Sequence, residues 1–146
     1  MELLLKAAQV APSAKNLQPV VTYVVQSAEK RKALAEVCRC TYGAPVVFVF
    51  AYRPDIAPAG PRYENDNFGE TDAAIATCHL MLEAADLGLG TCWVGLFNSE
   101  EVKKALGLPE DVEVRHLMPA GYPADESVPS PRHTQYRDRS ETVAFL

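Results

Sequence analysis

The chain has 146 residues, a formal net charge of −5, 48% hydrophobic residues and 23% charged residues. These values are ordinary for a globular protein, and the length predicts one domain over residues 1–146. An acidic chain without a dense Lys/Arg run argues against nucleic acid as the main partner. The longest apolar run, Val46–Tyr52, is too short to cross a membrane, and we find no signal peptide. We therefore expect a cytoplasmic protein without a membrane partner.

The first half of the chain predicts two helices and two strands. Apolar residues at helical spacing predict the first helix, which Pro12 ends, and Ser27 is a suitable N-cap for the second. The second strand is apolar throughout, as expected when both faces of a strand are covered. The predicted elements are a helix over Glu2–Val10, a strand over 20–26, a helix over 28–38 and a strand over Val46–Tyr52.

A long loop and the strongest helical pattern follow. A loop as long as 53–69 is usually functional or mobile, and we expect a solvated acidic face from Glu64, Asp66 and Glu70. The helix predicted over 71–87 is apolar around most of its circumference, which predicts packing on several sides, one of them against another subunit. The remaining side chains form one polar stripe, consisting of Asp72, His79, Glu83 and Asp86.

The last predicted elements are a short helix and a strand. Gly88 and Gly90 are expected to end the long helix in a left-handed turn. Asn98 and Glu101 form a capping box for a helix that Gly107 ends, and a strand over 112–120 precedes a polar tail. Because the elements show no regular βαβ repetition, we predict an α+β fold with helices flanking a central, mainly antiparallel sheet.

The four cysteines are Cys38, Cys40, Cys78 and Cys92. They form no C-x-x-C motif and no paired spacing, so we predict no metal site. A zinc site built from Cys38, Cys40, Cys78 and His79 is the weaker alternative. In a reducing cytosol such cysteines are typically small buried hydrophobes, which is our interpretation here.

Two segments are suited to a flat ligand. Residues 12–19 read P-S-A-K-N-L-Q-P and place Ser13, Asn16 and Gln18 in a stiff loop, where neutral donors and acceptors suit a flavin or a base. A helix end followed by a turn is the alternative, because these are common turn residues. Three glycines, Gly88, Gly90 and Gly95, flank residues 91–94. Because glycine has no side chain, the backbone there can approach a ligand closely. A helix–strand turn explains Gly88 and Gly90 better than it explains Gly95.

These two segments are followed along the chain by G-Y-P at 121–123 and by a late basic residue, Arg132. Over roughly residues 3–135 the chain resembles the nitroreductase family, the FMN-dependent NAD(P)H oxidoreductases. That family has a P-S-x-x-N-x-Q-P loop, a long helix ending in G-L-G-T-C-W-x-G, a G-Y-P turn and a late basic residue. No single block is specific, but four in register are.

The resemblance implies a homodimer that holds FMN in each of two interface pockets. One face of the flavin ring would lie against Trp93, Val94, Gly95 and Leu96, with main-chain groups near its N5 atom. The loop would reach the flavin of the dimer mate through Pro12, Ser13, Ala14 and Asn16, with Gln18 bracing the loop. Arg132 matches the residue that binds the FMN phosphate, and Asp72 stands where some members place an amide near the ring.

The implied activity is hydride transfer from NAD(P)H through the flavin to a nitroaromatic, quinone or similar small oxidised acceptor, by a ping-pong mechanism. FMN carries the redox chemistry, so no catalytic side chain is required. The sequence also offers no candidate for a catalytic side chain. Ser13 does not lie in a G-x-S-x-G motif, and no neighbouring residue orients His79, His116 or His133 as a base. No motif in the loop 53–69 selects the acceptor, or NADH over NADPH.

The chain departs from the family pattern in two features. The family's Arg-Arg-Ser segment precedes the first helix, whereas this chain begins at that helix. Losing two charge-assisted hydrogen bonds would cost about 3–6 kcal/mol, on the order of a hundred- to ten-thousand-fold in affinity, so we expect weak FMN binding or a compensating group. Val20 replaces a tryptophan, a packing change. Gly95 fits the pattern, although some members have a glutamate there, and the glycine should leave the ring face more open.

Two alternatives remain open on the sequence. One is a degenerate member of the same fold that binds flavin without catalysis, or that has no catalytic role at all. The other is an enzyme of another redox type on this fold, such as a flavin-fragmenting or dehalogenating relative.

Overall fold

The structure, a computed structural model, describes residues 1–61 and 66–146. The prediction for Glu64 lies outside the described residues. The helices are α1 (Glu2–Val10), α2 (Ala28–Val37), α3 (Gly69–Asp86), α4 (Ser99–Leu106) and α5 (Arg139–Thr142). The strands are β1 (Val20–Val25), β2 (Val46–Tyr52), β3 (Gly90–Thr91) and β4 (Glu113–Gly121). Single 3₁₀ turns cover Ala14–Asn16, Arg39–Thr41 and Pro131–Thr134.

The strands form one antiparallel sheet in the order β1-β2-β4-β3. β2 is central: Val47 pairs with Val25 on one side and with Pro119 on the other. The register shifts once, between Phe50 and Ala51, where β2 meets β4. The predicted α+β class with a central antiparallel sheet is therefore confirmed.

Both faces of the sheet are covered by helices, and β2 shows why. Its side chains alternate between two cores, because successive residues of a strand point to opposite faces. Val47, Val49 and Ala51 pack with residues of α2 and α4, such as Leu34 and Val102. Phe48 and Phe50 pack with residues of α1 and α3 on the other face, including Leu4, Ala76 and Leu80. The expected burial of β2 on both faces is confirmed.

The helix caps agree with the sequence. Ser27 accepts a hydrogen bond from the Lys30 N–H at the start of α2. Asn98 accepts from the N–H groups of Glu100 and Glu101 at the start of α4, and Gly107 ends that helix in the left-handed region, at φ 68°. Each such cap contributes about 1 kcal/mol to helix stability, which explains why these boundaries are readable from the sequence.

The end of α3 differs from the prediction at one glycine. Gly88 has φ 73°, as a left-handed helix end requires. Gly90, however, is not in the left-handed turn; it belongs to β3 and pairs with Gly121 at the sheet edge. The short strand β3 was not predicted, because its two residues carry no periodicity and depend on β4 for their hydrogen bonds.

Two expectations about burial were wrong, those for Asp66 and Cys92. Asp72, on the polar stripe of α3, is only 2% exposed. Asp66 is also buried, and its carboxylate fills the space that a side chain on Gly60 would take. Cys92 is exposed, whereas Cys38 is buried as expected and Cys40 and Cys78 are half-buried. Asp72 is bonded to a loop 58 positions away, whereas Asp66 packs against Gly60 within the same loop.

The structure also tests two general features of the fold. No helix within residues 1–61 and 66–146 is both long enough and apolar enough to cross a membrane. The residues after β4, including α5, are exposed along their whole length up to Leu146.

Candidate functional site

The loop that follows α1 is backbone-strained. Lys15, Asn16 and Gln18 adopt φ angles of 53°, 55° and 51°, in the left-handed region that residues other than glycine rarely occupy. Such conformations cost about 1–3 kcal/mol each and persist only where neighbouring contacts enforce them. Strain of this kind is characteristic of ligand-binding segments, so the loop is a candidate part of a site.

Local hydrogen bonds hold this loop in place. The Gln18 backbone N–H donates to Ser13 Oγ at 3.0 Å, and the Gln18 side-chain amide donates to Asn16 Oδ1 at 3.1 Å. The Asn16 N–H donates to the Ser13 carbonyl at 2.9 Å. Gln18 thus braces the loop, as expected. The donors of Ser13 Oγ and Asn16 Nδ2 have no acceptor among the described residues, which leaves them free for a ligand.

Asp72 ties the loop to the first turn of α3. The Ala14 N–H donates to Asp72 Oδ1 at 2.9 Å, across 58 positions of sequence. The second carboxylate oxygen, Oδ2, is buried and accepts no hydrogen bond from the part of the chain that is described. Burial raises the pKa of Asp72, and the hydrogen bond from Ala14 opposes that shift. The carboxylate therefore fixes the loop and keeps one acceptor unused.

A cavity of about 250 Å³ lies between the loop, α1 and β1. Its polar lining comprises Gln9, Ser13, Gln18, Thr22 and Asp72. Complete small-molecule pockets usually measure about 300–1,000 Å³, so this cavity is small for a whole ligand. The cavity can hold part of a ligand. Alternatively, it forms one side of a larger pocket that a second chain completes.

We expect Asp72→Ala to unfold more easily than Asp72→Asn by about 1–3 kcal/mol, because alanine leaves the Ala14 N–H without its acceptor. Urea unfolding near neutral pH measures this difference. Since burial raises the pKa of Asp72, wild-type stability relative to Asp72→Asn should be greatest in acid and should fall as pH rises through the raised value. Equal stability of the two variants would show that the bond to Ala14 contributes nothing.

The segment after β3 presents an open backbone. Val94 is buried and exchanges two backbone hydrogen bonds with Leu117 of β4, at 2.9 and 3.0 Å, so the segment is anchored at its centre. A Cβ atom built on Gly95 would meet no heavy atom within 4 Å. The N–H groups of Gly95 and Leu96 have no acceptor among the described residues. The segment thus offers unpaired donors beside an unobstructed surface.

Two apolar side chains flank that surface. Leu96 is 85% exposed and Trp93 is 37% exposed, although both are large and apolar. The Trp93 indole N–H donates to Nδ1 of His116 on β4 at 3.1 Å, and the two rings meet edge to face with centroids 4.9 Å apart. The sequence did not indicate this pair, because the two residues are 23 positions apart and neither lies in a recognisable motif with the other.

The first turn of α3 lies between the loop at 12–18 and the segment that carries Trp93 and Gly95. Asp72 holds the loop, as described, and Glu70 lies on the side of Arg115, its carboxylate 3.8 Å from the Arg115 guanidinium. Arg115 is the strand neighbour of His116. The structure therefore brings Ala14, Asp72, Glu70 and the Trp93 segment around one helix end.

Arg132 is separate from these groups. It lies in the exposed 3₁₀ turn Pro131–Thr134, where Ser130 accepts a hydrogen bond from its backbone N–H. Its guanidinium makes no ion pair or hydrogen bond with the described residues and lines none of the cavities around the loop or the Trp93 segment. A free cation in this position remains available to an anion.

The described residues contain no group of three or more His, Cys, Asp or Glu side chains arranged to hold a metal ion. The candidate site combines backbone donors, neutral side chains and flat apolar surface with the buried carboxylate of Asp72. Such a set suits an uncharged aromatic ring with hydrogen-bonding edges.

Comparison with known proteins agrees with this geometry. The model of the nitroreductase family matches residues 1–42 and 39–122. A relative from Archaeoglobus fulgidus, whose name gives it as a candidate NADH dehydrogenase/NAD(P)H nitroreductase, is 36% identical over 135 residues, covering 86% of this chain and 74% of its own. The FMN reductase [NAD(P)H] of Bacillus subtilis is 29% identical over 155 residues, and the match spans 92% of this chain and 61% of that protein.

Solved structures show the same fold. A nitroreductase family protein from Clostridium difficile 630 superposes with a TM-score of 0.88 at 28% identity, covering 99% of this chain and 83% of that one. An FMN-dependent nitroreductase from Clostridium difficile R20291 gives a TM-score of 0.73 at 26% identity, covering 99% of this chain and 84% of that one. The chain belongs to the nitroreductase family.

Proposed function

We propose that the protein is an FMN-dependent NAD(P)H oxidoreductase that reduces a small oxidised acceptor such as a quinone or nitroaromatic. The observation that carries this proposal is the open backbone at Gly95 and Leu96, where two unpaired N–H donors lie beside a surface with no side chain over it. The names of the relatives, which include an FMN reductase and an FMN-dependent nitroreductase, support the same activity.

The described residues fit a flavin. A flavin ring is flat, largely uncharged and rich in acceptors along one edge, which matches backbone donors at Gly95 and Leu96 and apolar contact with Trp93. The free donors of Ser13 and Asn16 fit the same chemistry. Arg132 lies apart from these groups, and we assign it to the phosphate because it matches the late basic residue of the family pattern. When bound, FMN supplies the hydride chemistry.

The protein's own contribution is binding and orientation. Val94 and Leu117 fix the backbone, so the Gly95 and Leu96 donors stay in position without reorganising. Asp72 keeps the strained loop in one geometry through Ala14. The missing side chain at Gly95 leaves room for a substrate to approach the ring from one side. We infer that donor and acceptor use this side in turn, which gives ping-pong kinetics; intersecting double-reciprocal lines would contradict it.

We further propose that the pocket is completed by a second copy of the chain. The cavity beside the loop holds about 250 Å³, and the flank of α1 and α3 leaves apolar side chains uncovered. Leu3, Val10 and Leu82 are 57%, 58% and 62% exposed along that flank. Burying the exposed part of each would contribute about 1–2 kcal/mol, before the entropic cost of association.

We predict that the protein sediments as a dimer at micromolar concentration and that Leu82→Glu shifts it towards monomer. A charge introduced on this flank would have to be desolvated in the dimer, which opposes association. Sedimentation velocity measures both states, with Ala35→Glu, at an exposed position of α2, as the control with the same change of charge. An entirely monomeric wild type would refute the shared pocket.

A further inference from the structure

The hydrogen bond between Trp93 and His116 has a defined donor and a defined acceptor. An indole N–H is a donor only, so the 3.1 Å contact requires Nδ1 of His116 to be an acceptor and therefore unprotonated. The neutral ring must then carry its proton on Nε2, which is buried. If the ring gains a second proton, Nδ1–H faces the indole N–H, and the hydrogen bond cannot form.

Several groups influence the charge of His116. Burial lowers its pKa, and the neighbouring Arg115 cation acts in the same direction. The carboxylate and backbone of Glu70, on α3, oppose the shift. Within the described part of the chain, Phe50 pairs with His116 across the sheet from β2, and Trp93 meets it from the segment after β3; neither of these two side chains is ionisable. The net lowering keeps His116 neutral at neutral pH.

Trp93 begins the segment that carries the open donors. It lies two and three residues before Gly95 and Leu96, and the intervening Val94 is fixed to β4. Among the described residues, backbone bonds on both sides of Trp93, from Cys92 to Pro119 and between Val94 and Leu117, hold its main chain, and the bond to His116 holds its side chain. The bond to His116 depends on the charge of a histidine.

We propose that neutral His116 is a positioning residue that holds the Trp93 indole in place beside the flavin surface, and that protonation of His116 releases the indole. The role towards flavin rests on the proposed function; the hydrogen bond itself does not. In acid the released indole is free to reorient, so flavin affinity falls below neutral pH.

The first test uses flavin-free protein. Trp93 is the single tryptophan of the chain, so its indole N–H gives one side-chain resonance in a ¹⁵N-labelled sample. As the pH falls from neutral into acid, this resonance should titrate in the wild type together with His116, whose pKa burial lowers, and the pH series continues until the protein unfolds. In His116→Gln, which keeps an acceptor but does not titrate, it should stay near the neutral wild-type position. In His116→Phe, which offers no acceptor, the chemical shift of this resonance should differ from that of the hydrogen-bonded wild type at every pH.

His79→Gln is the matched control, because His79 lies about 14 Å further along α3 than Glu70 and contacts the Ile75 carbonyl instead. It should leave the titration of the Trp93 resonance unchanged. A wild-type resonance that does not respond to pH, or one that titrates equally in His116→Gln, would overturn the proposal.

The second test measures FMN affinity by fluorescence titration. His116→Phe should bind FMN about fivefold more weakly than wild type at neutral pH, which corresponds to about 1 kcal/mol for one lost hydrogen bond. His116→Gln should recover most of this affinity and keep it in acid, where the wild type loses it. Equal affinities and pH profiles for all three would overturn the positioning role. A wild type that binds no FMN would refute the proposed function and this role, while the indole titration would still decide the hydrogen bond.

Discussion

Replacing Gly95 with valine should lower kcat/KM for NAD(P)H oxidation about a hundredfold and leave folding stability nearly unchanged. A Cβ atom at this position meets no heavy atom of the protein within 4 Å, so the added bulk enters space that we assign to the flavin and its substrates. Displacing a reactant by about 1 Å can cost about a hundredfold in rate. Steady-state kinetics with a quinone acceptor measures the loss.

The same variant also tests whether the effect is local. Substitutions at open positions usually change stability by no more than about 0.5 kcal/mol, so the urea midpoint should stay close to wild type. Glu36→Ala, on the exposed side of α2, is the control and should change neither quantity. Full activity in a folded Gly95→Val protein would mean that this surface is not where the ring lies.

Replacing Arg132 with alanine should weaken FMN binding by roughly ten- to a hundredfold, since a charge-assisted hydrogen bond contributes about 1.5–3 kcal/mol. Riboflavin, which lacks the phosphate, should bind the variant and the wild type alike. The guanidinium has no partner in the described part of the chain, so its loss should not disturb folding. Parallel titrations with the two ligands measure this difference.

Arg137 provides the control for Arg132. It is also an exposed arginine near the end of the chain, but it is already paired with Glu141 at 2.8 Å. Arg137→Ala should therefore leave the ratio of FMN to riboflavin affinity at its wild-type value. Equal losses of both ligands in Arg132→Ala would remove this residue from the phosphate site.

The sequence predicted the parts of the fold that depend on local patterns. Ser27 and Asn98 mark helix starts because capping uses neighbouring backbone N–H groups. The uninterrupted apolar run of β2 indicated a strand covered on both faces, since alternate side chains enter different cores. Both signals lie within a few consecutive residues, so no tertiary information is needed to recognise them.

The errors and omissions arose from contacts between distant positions. Asp72 has the chemistry of a surface residue, and its burial follows from the hydrogen bond to Ala14, 58 positions away. The donor–acceptor pair of Trp93 and His116 depends on the pairing of the segment after β3 with β4. Gly90 became a strand residue for the same reason. A single sequence does not specify which distant segments meet.

The candidate site was predicted in a similar way. The loop at 12–18 and the segment around Gly95 were singled out from their residue types and from the resemblance to the nitroreductase family. Their arrangement around the first turn of α3 required the structure. The roles assigned to Ser13, Asn16, Trp93, Gly95 and Arg132 towards the flavin remain predictions.

The most direct test of the central claim is the visible absorption spectrum of the purified protein, recorded after incubation with FMN, desalting and anaerobic addition of NADH or NADPH. We predict that a flavin band stays with the protein through desalting and is bleached when the nicotinamide is added, because the open face beside Gly95 admits the donor. A protein that retains no flavin at high FMN, or one whose retained flavin stays oxidised with both nicotinamides, would contradict the proposed function.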